Sequence, residues 1–107
     1  MVTGSTIQDS AGLVTLTAGK LTMRDAADEV AVVSGTLNMN DVAANQDLTV
    51  TAGTVSANNI GRDLLVNGGT TTISGAVTRD VTTTGAGIVN QTGNVGGNLS
   101  VTGTGRF

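Results

Sequence analysis

The chain of 107 residues has no cysteine, proline, histidine, tyrosine or tryptophan, and its one aromatic residue is Phe107. Without cysteine there are no disulfides and no thiolate chemistry, though the compartment stays open. Without histidine, cysteine or tyrosine, general-base work would fall to Asp, Glu or Lys20, none of them convincingly paired in the sequence. Without aromatics a wide globular core cannot be filled, so the interior is narrow and made of Val, Leu, Ile, Met, Ala and Thr. Cations are few: Lys20, Arg24, Arg62, Arg79 and Arg106 stand against eight acidic residues, for a net charge of −3. That balance, with no interleaved aromatics, excludes nucleic acid as the expected partner. No apolar run is long enough to span a bilayer, so no membrane insertion is expected. No signal-peptide pattern opens the chain, which is expected to be a cytoplasmic protein, a mature form or a piece of something longer.

What is present is a repeat. One phrase is written six times: Val14-Thr-Leu-Thr-Ala-Gly19, Val30-Ala-Val-Val-Ser-Gly35, Leu48-Thr-Val-Thr-Ala-Gly53, Leu64-Leu-Val-Asn-Gly-Gly69, Val81-Thr-Thr-Thr-Gly-Ala86 and Leu99-Ser-Val-Thr-Gly-Thr104. The anchors recur at intervals of 16, 18, 16, 17 and 18 residues. A fixed period of this size decides the architecture before local propensity does, and it favours rods and scaffolds over enzymes.

Within each repeat the anchor and the residue two positions on (Leu16, Val32, Val50, Val66, Thr83, Val101) flank a residue that is polar in four of the six repeats, and this alternation describes a strand with one buried face. Gly19, Gly35, Gly53 and Gly69 then mark a corner, where glycine permits a positive φ. A second strand follows, with inward pairs Leu21/Met23, Leu37/Met39, Val55/Ala57, Thr71/Ile73 and Ile88/Asn90. Asn90 is inward in that register, or marks a bulge near Gly87. A third short side has Ala26, Ala44, Ile60, Val77 or Val95 four residues before the next anchor. The constant spacing back from the anchor places the length variation between the second and third sides.

No single coil can bury these residues, whereas stacked coils can, each strand pairing with its equivalent about 4.8 Å along the axis. The expected fold is all-β: a single-stranded parallel β-helix, or β-solenoid, occupying residues 1–107. It should have about six and a half coils of three sides each, a right-handed path and a length on the order of 30 Å. Neither end carries a capping helix, a proline or a charge cluster, so both are expected to be uncapped. Val2, Ile7, Leu99, Val101 and Phe107 are the candidate end-stacking residues.

Gln46-Asp-Leu-Thr-Val-Thr-Ala-Gly53 and Val95-Gly-Gly-Asn-Leu-Ser-Val-Thr-Gly103 resemble the repeats of large secreted bacterial β-solenoid exoproteins of the filamentous-haemagglutinin and adhesin type. The resemblance covers the chain from Leu13 onward. It implies a stalk, at the cell surface or outside the cell, with no catalytic residue and no cofactor. A second resemblance, carried by Gly61-Arg-Asp-Leu64 and Gly96-Gly-Asn-Leu99 and by the size and coil count, is to bactofilins. These are cytoplasmic solenoids that polymerise end to end. The partners expected are therefore flanking coils of a longer chain, or copies of this one.

Three outward features could carry chemistry. The residues just before each anchor form an acidic column, Glu29, Asp47, Asp63, Asp80 and then Asn98. Stacked carboxylates repel and could take a cation such as calcium. The simpler reading is that each accepts a backbone N–H at the corner, with Arg62 and Arg79 beside them as neutralising charges. The outward residues Thr15/Thr17, Thr49/Thr51, Thr82/Thr84 and Ser100/Thr102 could form an ice-binding ladder, but Ala31/Val33 and Leu65/Asn67 interrupt it in two of six coils, and β-favouring residues suit a solvated strand face. Asn38, Asn40, Asn58 and Asn59 could form an amide ladder that stabilises stacking.

Overall fold

The computed structural model describes residues 5–6, 9–10, 13–103 and 105, and among these there are strands and turns but no helix. The first side of the coil stacks β3 (Val14–Leu16), β6 (Val30–Val32), β9 (Leu48–Val50), β11 (Leu64–Val66), β13 (Val81–Thr83) and β15 (Leu99–Val101). The second side stacks β1 (Ser5–Thr6), β4 (Lys20–Thr22), β7 (Thr36–Asn38), β10 (Thr54–Ala57), β12 (Thr70–Ile73) and β14 (Ile88–Gln91). The third has β2 (Asp9–Ser10), β5 (Asp25–Ala26) and β8 (Asp41–Val42), continued by single bridges through Ile60, Val77 and Val95. Every pairing is parallel and joins equivalent positions one turn apart. The fold is the parallel β-solenoid that the repeat demands, with five turns between Val14 and Leu99 and a longest dimension of 32 Å.

Stacking turns each inward position into a file along the axis. Leu16, Val32, Val50, Val66, Thr83 and Val101 are consecutive partners in one file, and Val14, Val30, Leu48, Leu64, Val81 and Leu99 in the next. Leu21, Leu37, Val55, Thr71 and Val89 form the main file of the second side. Ala26, Val42, Ile60, Val77 and Val95 close the triangle from the third. Leu16, Leu21, Leu37, Val50, Val55, Ile60, Val66, Ile73 and Val77 are fully buried and Val32 nearly so. Each such side chain contributes about 1.5–3 kcal/mol by leaving water. Val95, in the last coil, is half-buried against the same core.

Corner glycines make the close stacking possible. Gly53 (φ 90°) and Gly69 (φ 71°) lie on successive coils, and a β-carbon on Gly69 would come 2.1 Å from the Gly53 carbonyl oxygen. Only glycine satisfies both the left-handed backbone and that approach.

Two positions differ from the sequence expectation. Ile88 is not a core residue: Val89 is fully buried in its place, Asn90 is exposed, and Gln91 follows Ile73 in the inward file. The cause is one extra residue in the corner between Val81 and β14. Seven residues separate Leu64 from Thr71 but eight separate Val81 from Val89, the partners one coil up. A one-residue slip exchanges the faces of a strand. Likewise Ala44 is exposed and Val42 is the inward residue of its coil. Six residues run from Val42 to Leu48 where four run from Ile60 to Leu64, so this insertion follows the third side rather than preceding it. It is accommodated by a turn in which Asn45 has a φ of 66° and Gln46 N–H donates to the Ala43 carbonyl at 3.1 Å.

Candidate functional site

Among the described residues, charge is confined almost wholly to the third side and its corners. No strand of the first side contains a charged residue, and Lys20 is the one charged residue in the described strands of the second. Two polar ladders run along the charged region.

The first is the acidic column. The anchor N–H of Val30, Leu48, Leu64 and Val81 donates to the carbonyl of Asp47, Asp63, Asp80 and Asn98, the pre-anchor residue of the following coil. That residue's own N–H turns to the side chain below: Asp63 N–H to Asp47 at 3.0 Å, Asp80 N–H to Asp63 at 3.1 Å and Asn98 N–H to Asp80 at 2.8 Å. Each aspartate thus satisfies a corner amide of the next coil. Arg62 supplies the counter-charge. Its Nε and Nη2 donate to the two oxygens of Asp47 at 2.7 and 2.8 Å, and Nη2 also reaches Glu29 at 3.4 Å. Arg79 lies 3.9 Å from Asp63. The hydrogen bonds from Arg62 hold the Asp47 carboxyl below its ordinary value of 3.8, against the opposing effect of partial burial. The repulsion expected of stacked carboxylates is offset by arginine and by backbone N–H, and among the described residues no three acidic side chains are grouped to hold a metal ion.

The second ladder lies at the corner between the second and third sides. Asp25 accepts the N–H of Asp41 at 3.2 Å, Asp41 that of Asn59 at 3.1 Å, and Asn59 that of Ala76 at 2.9 Å. Beside it Asn40 donates to Asp25, Asn58 donates to Asn40 at 3.2 Å, and the Ser74 hydroxyl donates to Asn58 at 3.3 Å. Asn40 and Asn58 therefore form the expected amide contact, while Asn59 belongs to the backbone-capping file and Asn38 lies in the strand β7. Sequence reasoning missed the Asp25–Asp41–Asn59 file, although its spacing of 16 and 18 residues copies the anchor intervals. Along this corner runs a shallow groove of about 560 Å³, lined by Thr22, Asn38, Ser56, Asn40 and Asn58 with Arg24 among them.

The outward threonines fall where expected: Thr15, Ala31, Thr49, Leu65, Thr82 and Ser100 are successive partners across the first side, so the threonine row is broken at Ala31 and Leu65. Of the end residues, Leu99 and Val101 are 47% and 43% exposed at the last rung. Val2, Ile7 and Phe107 lie outside the described residues.

No protein-family model, curated protein or solved structure matches this chain.

Proposed function

We propose that the chain is a structural element: a rigid β-solenoid segment of a stalk or fibre in a bacterial surface or secreted adhesin-like protein. The observation that carries this reading is the unbroken pair of six-rung ladders around a mainly aliphatic core. Such a body resists bending because every rung is hydrogen-bonded to its neighbours and every core file is close-packed. Asp47, Asp63, Asp80 and Arg62 are spent on the coil itself, as caps and clamps between rungs. Two measurements test the reading. Spin labels at Thr15→Cys and Ser100→Cys, five rungs apart in one file, should give a single narrow distance near 24 Å from the rung spacing of about 4.8 Å; a broad distribution would remove the rigid element. The surrounding reading frame should continue in further repeats of the same period, and an isolated frame would sink the stalk.

A second reading is favoured by Leu99 and Val101, which are exposed on β15, the outermost described strand of the first side. An apolar, unpaired strand edge is a template for another strand. In this reading the chain is a cytoplasmic solenoid of bactofilin type that adds copies end to end. Electron microscopy separates the two: uniform filaments that Val101→Arg dissolves support the polymer, and monodisperse particles support the stalk.

A further inference from the structure

We infer that Asn67 is a self-modification site, at which the main-chain nitrogen of Gly68 closes on the Asn67 side-chain amide. The chain has nine asparagines, but Asn67-Gly68 is its one Asn-Gly pair. Five of the others are protected because the N–H that follows them is committed: Met39 to Ser56, Asp41 to Asp25, Asn59 to Asp41 and Ile60 to Ala76 between coils, and Gln46 to Ala43 within its turn. The N–H of Gly68 has no acceptor among the described residues, and Asn67 is exposed.

Two further features favour reaction. The Thr84 hydroxyl, one coil up, donates to Oδ1 of Asn67. That bond polarises the carbonyl to be attacked and stabilises the negative charge that develops on its oxygen, as any well-placed donor does. The glycine is also required by the fold, since a β-carbon at position 68 would come 2.7 Å from the Thr51 carbonyl oxygen. The close stacking of coils therefore demands the residue that leaves the attacking nitrogen unshielded.

The step balances without an outside reagent other than water. The Gly68 nitrogen bonds to Cγ and gives up its proton, the Cγ–Nδ2 bond breaks, and ammonia leaves, closing a succinimide. Water then opens the ring. Cleavage at the bond to Cγ gives aspartate, and cleavage at the main-chain carbonyl gives isoaspartate, with the backbone running through the side chain. Either product places a carboxylate on a side whose strands carry no charge. The isoaspartate also lengthens the backbone just before the tight Gly69 corner, so the coil should loosen there.

The test is a time course of the folded chain in neutral buffer, read by peptide mass and isoaspartate detection. Asn67 should convert faster than the other eight asparagines. Thr84→Val should slow the conversion several-fold, and Thr84→Ser, which keeps a hydroxyl, should restore it. Asn67→Thr should abolish the product. An Asn67 that stays intact in the folded chain while the urea-unfolded chain converts would overturn the proposal. So would a rate indifferent to Thr84→Val in a variant whose circular dichroism spectrum is unchanged.

Discussion

Arg62 grips both carboxylate oxygens of Asp47 at 2.7 and 2.8 Å across a coil boundary, while Asp47 accepts the N–H of Asp63, the residue after the arginine. One contact thus fixes charge and register together. The arginine neutralises the partly buried carboxylate, and the carboxylate holds the chain of the next coil at the position where its anchor strand begins. A planar guanidinium suits this grip because it matches a carboxylate in two parallel hydrogen bonds.

The pH dependence follows from that pair. Asp47 titrates below its ordinary value of 3.8 in the folded chain. Its contribution to stability is therefore complete above the unfolded value and is lost as pH falls through the lower, folded one. Arg62→Gln removes the main cause of the lowering, so the acid unfolding midpoint should move to higher pH. An acid titration followed by circular dichroism checks this. The Asp47→Asn variant should show no further shift when Arg62→Gln is added.

The core contains a correctable flaw. Thr71 is fully buried between Val55 and Val89, and its hydroxyl has no partner among the described residues. A buried hydroxyl without a hydrogen bond costs about 1–3 kcal/mol. Thr71→Val keeps the shape and removes the polar atom. It should raise the free energy of unfolding by about 1–2 kcal/mol in a urea titration, with no change in slope.

Gly61 should not tolerate a side chain. It packs on the insertion turn of the coil below, where a β-carbon would meet the Ala43 carbonyl oxygen at 1.8 Å. Main chain cannot yield there without breaking the coil contact in which Asn45 N–H donates to the Gly61 carbonyl at 3.3 Å. Gly61→Ala should therefore destabilise by about 1–3 kcal/mol, the usual cost of forcing atoms into a packed site. Replacing Gly105, where a β-carbon would come 2.2 Å from the Gly87 carbonyl oxygen beside the last described rung, should cost less. Thermal melts of the two variants make the comparison.

The architecture was legible because stacking obliges every coil to repeat its neighbour. Val32, Val50 and Val66 announce their file by period alone, and the pre-anchor residues Asp47, Asp63 and Asp80 announce their ladder in the same way. The insertions were less legible. A period counts residues per turn but does not say at which corner an extra residue sits, and an aliphatic residue stands in either candidate position. Val42 and Ala44 both suit the third side; Ile88 and Val89 both suit the second. The Asp25–Asp41–Asn59 file was hidden for a related reason, since its members precede the second insertion in one coil and follow none in the others. Counted from the preceding strand rather than from the next anchor, they align.

The slip at β14 offers the sharpest test of the register. Ile88 pairs with Thr70 on the outward face, and Val89 pairs with the buried Thr71. The two residues are neighbours of similar size and hydrophobicity, so any difference between them reports the face each occupies. Val89→Ala removes buried methyl groups from the file above Thr71 and should cost about 2 kcal/mol. Ile88→Thr continues the outward row of Thr36, Thr54 and Thr70 and should stay within about 0.5 kcal/mol of the parent, as surface substitutions do. Urea unfolding of both variants decides the matter: the opposite ranking would mean that the corner after Val81 holds no extra residue and that Ile88 is the core side chain. Deleting Ala86 should then separate cause from effect. With the extra residue gone, Val89 follows Val81 by the same seven residues that separate Leu64 from Thr71, so it should stay in the core and the deletion should cost less than Val89→Ala does.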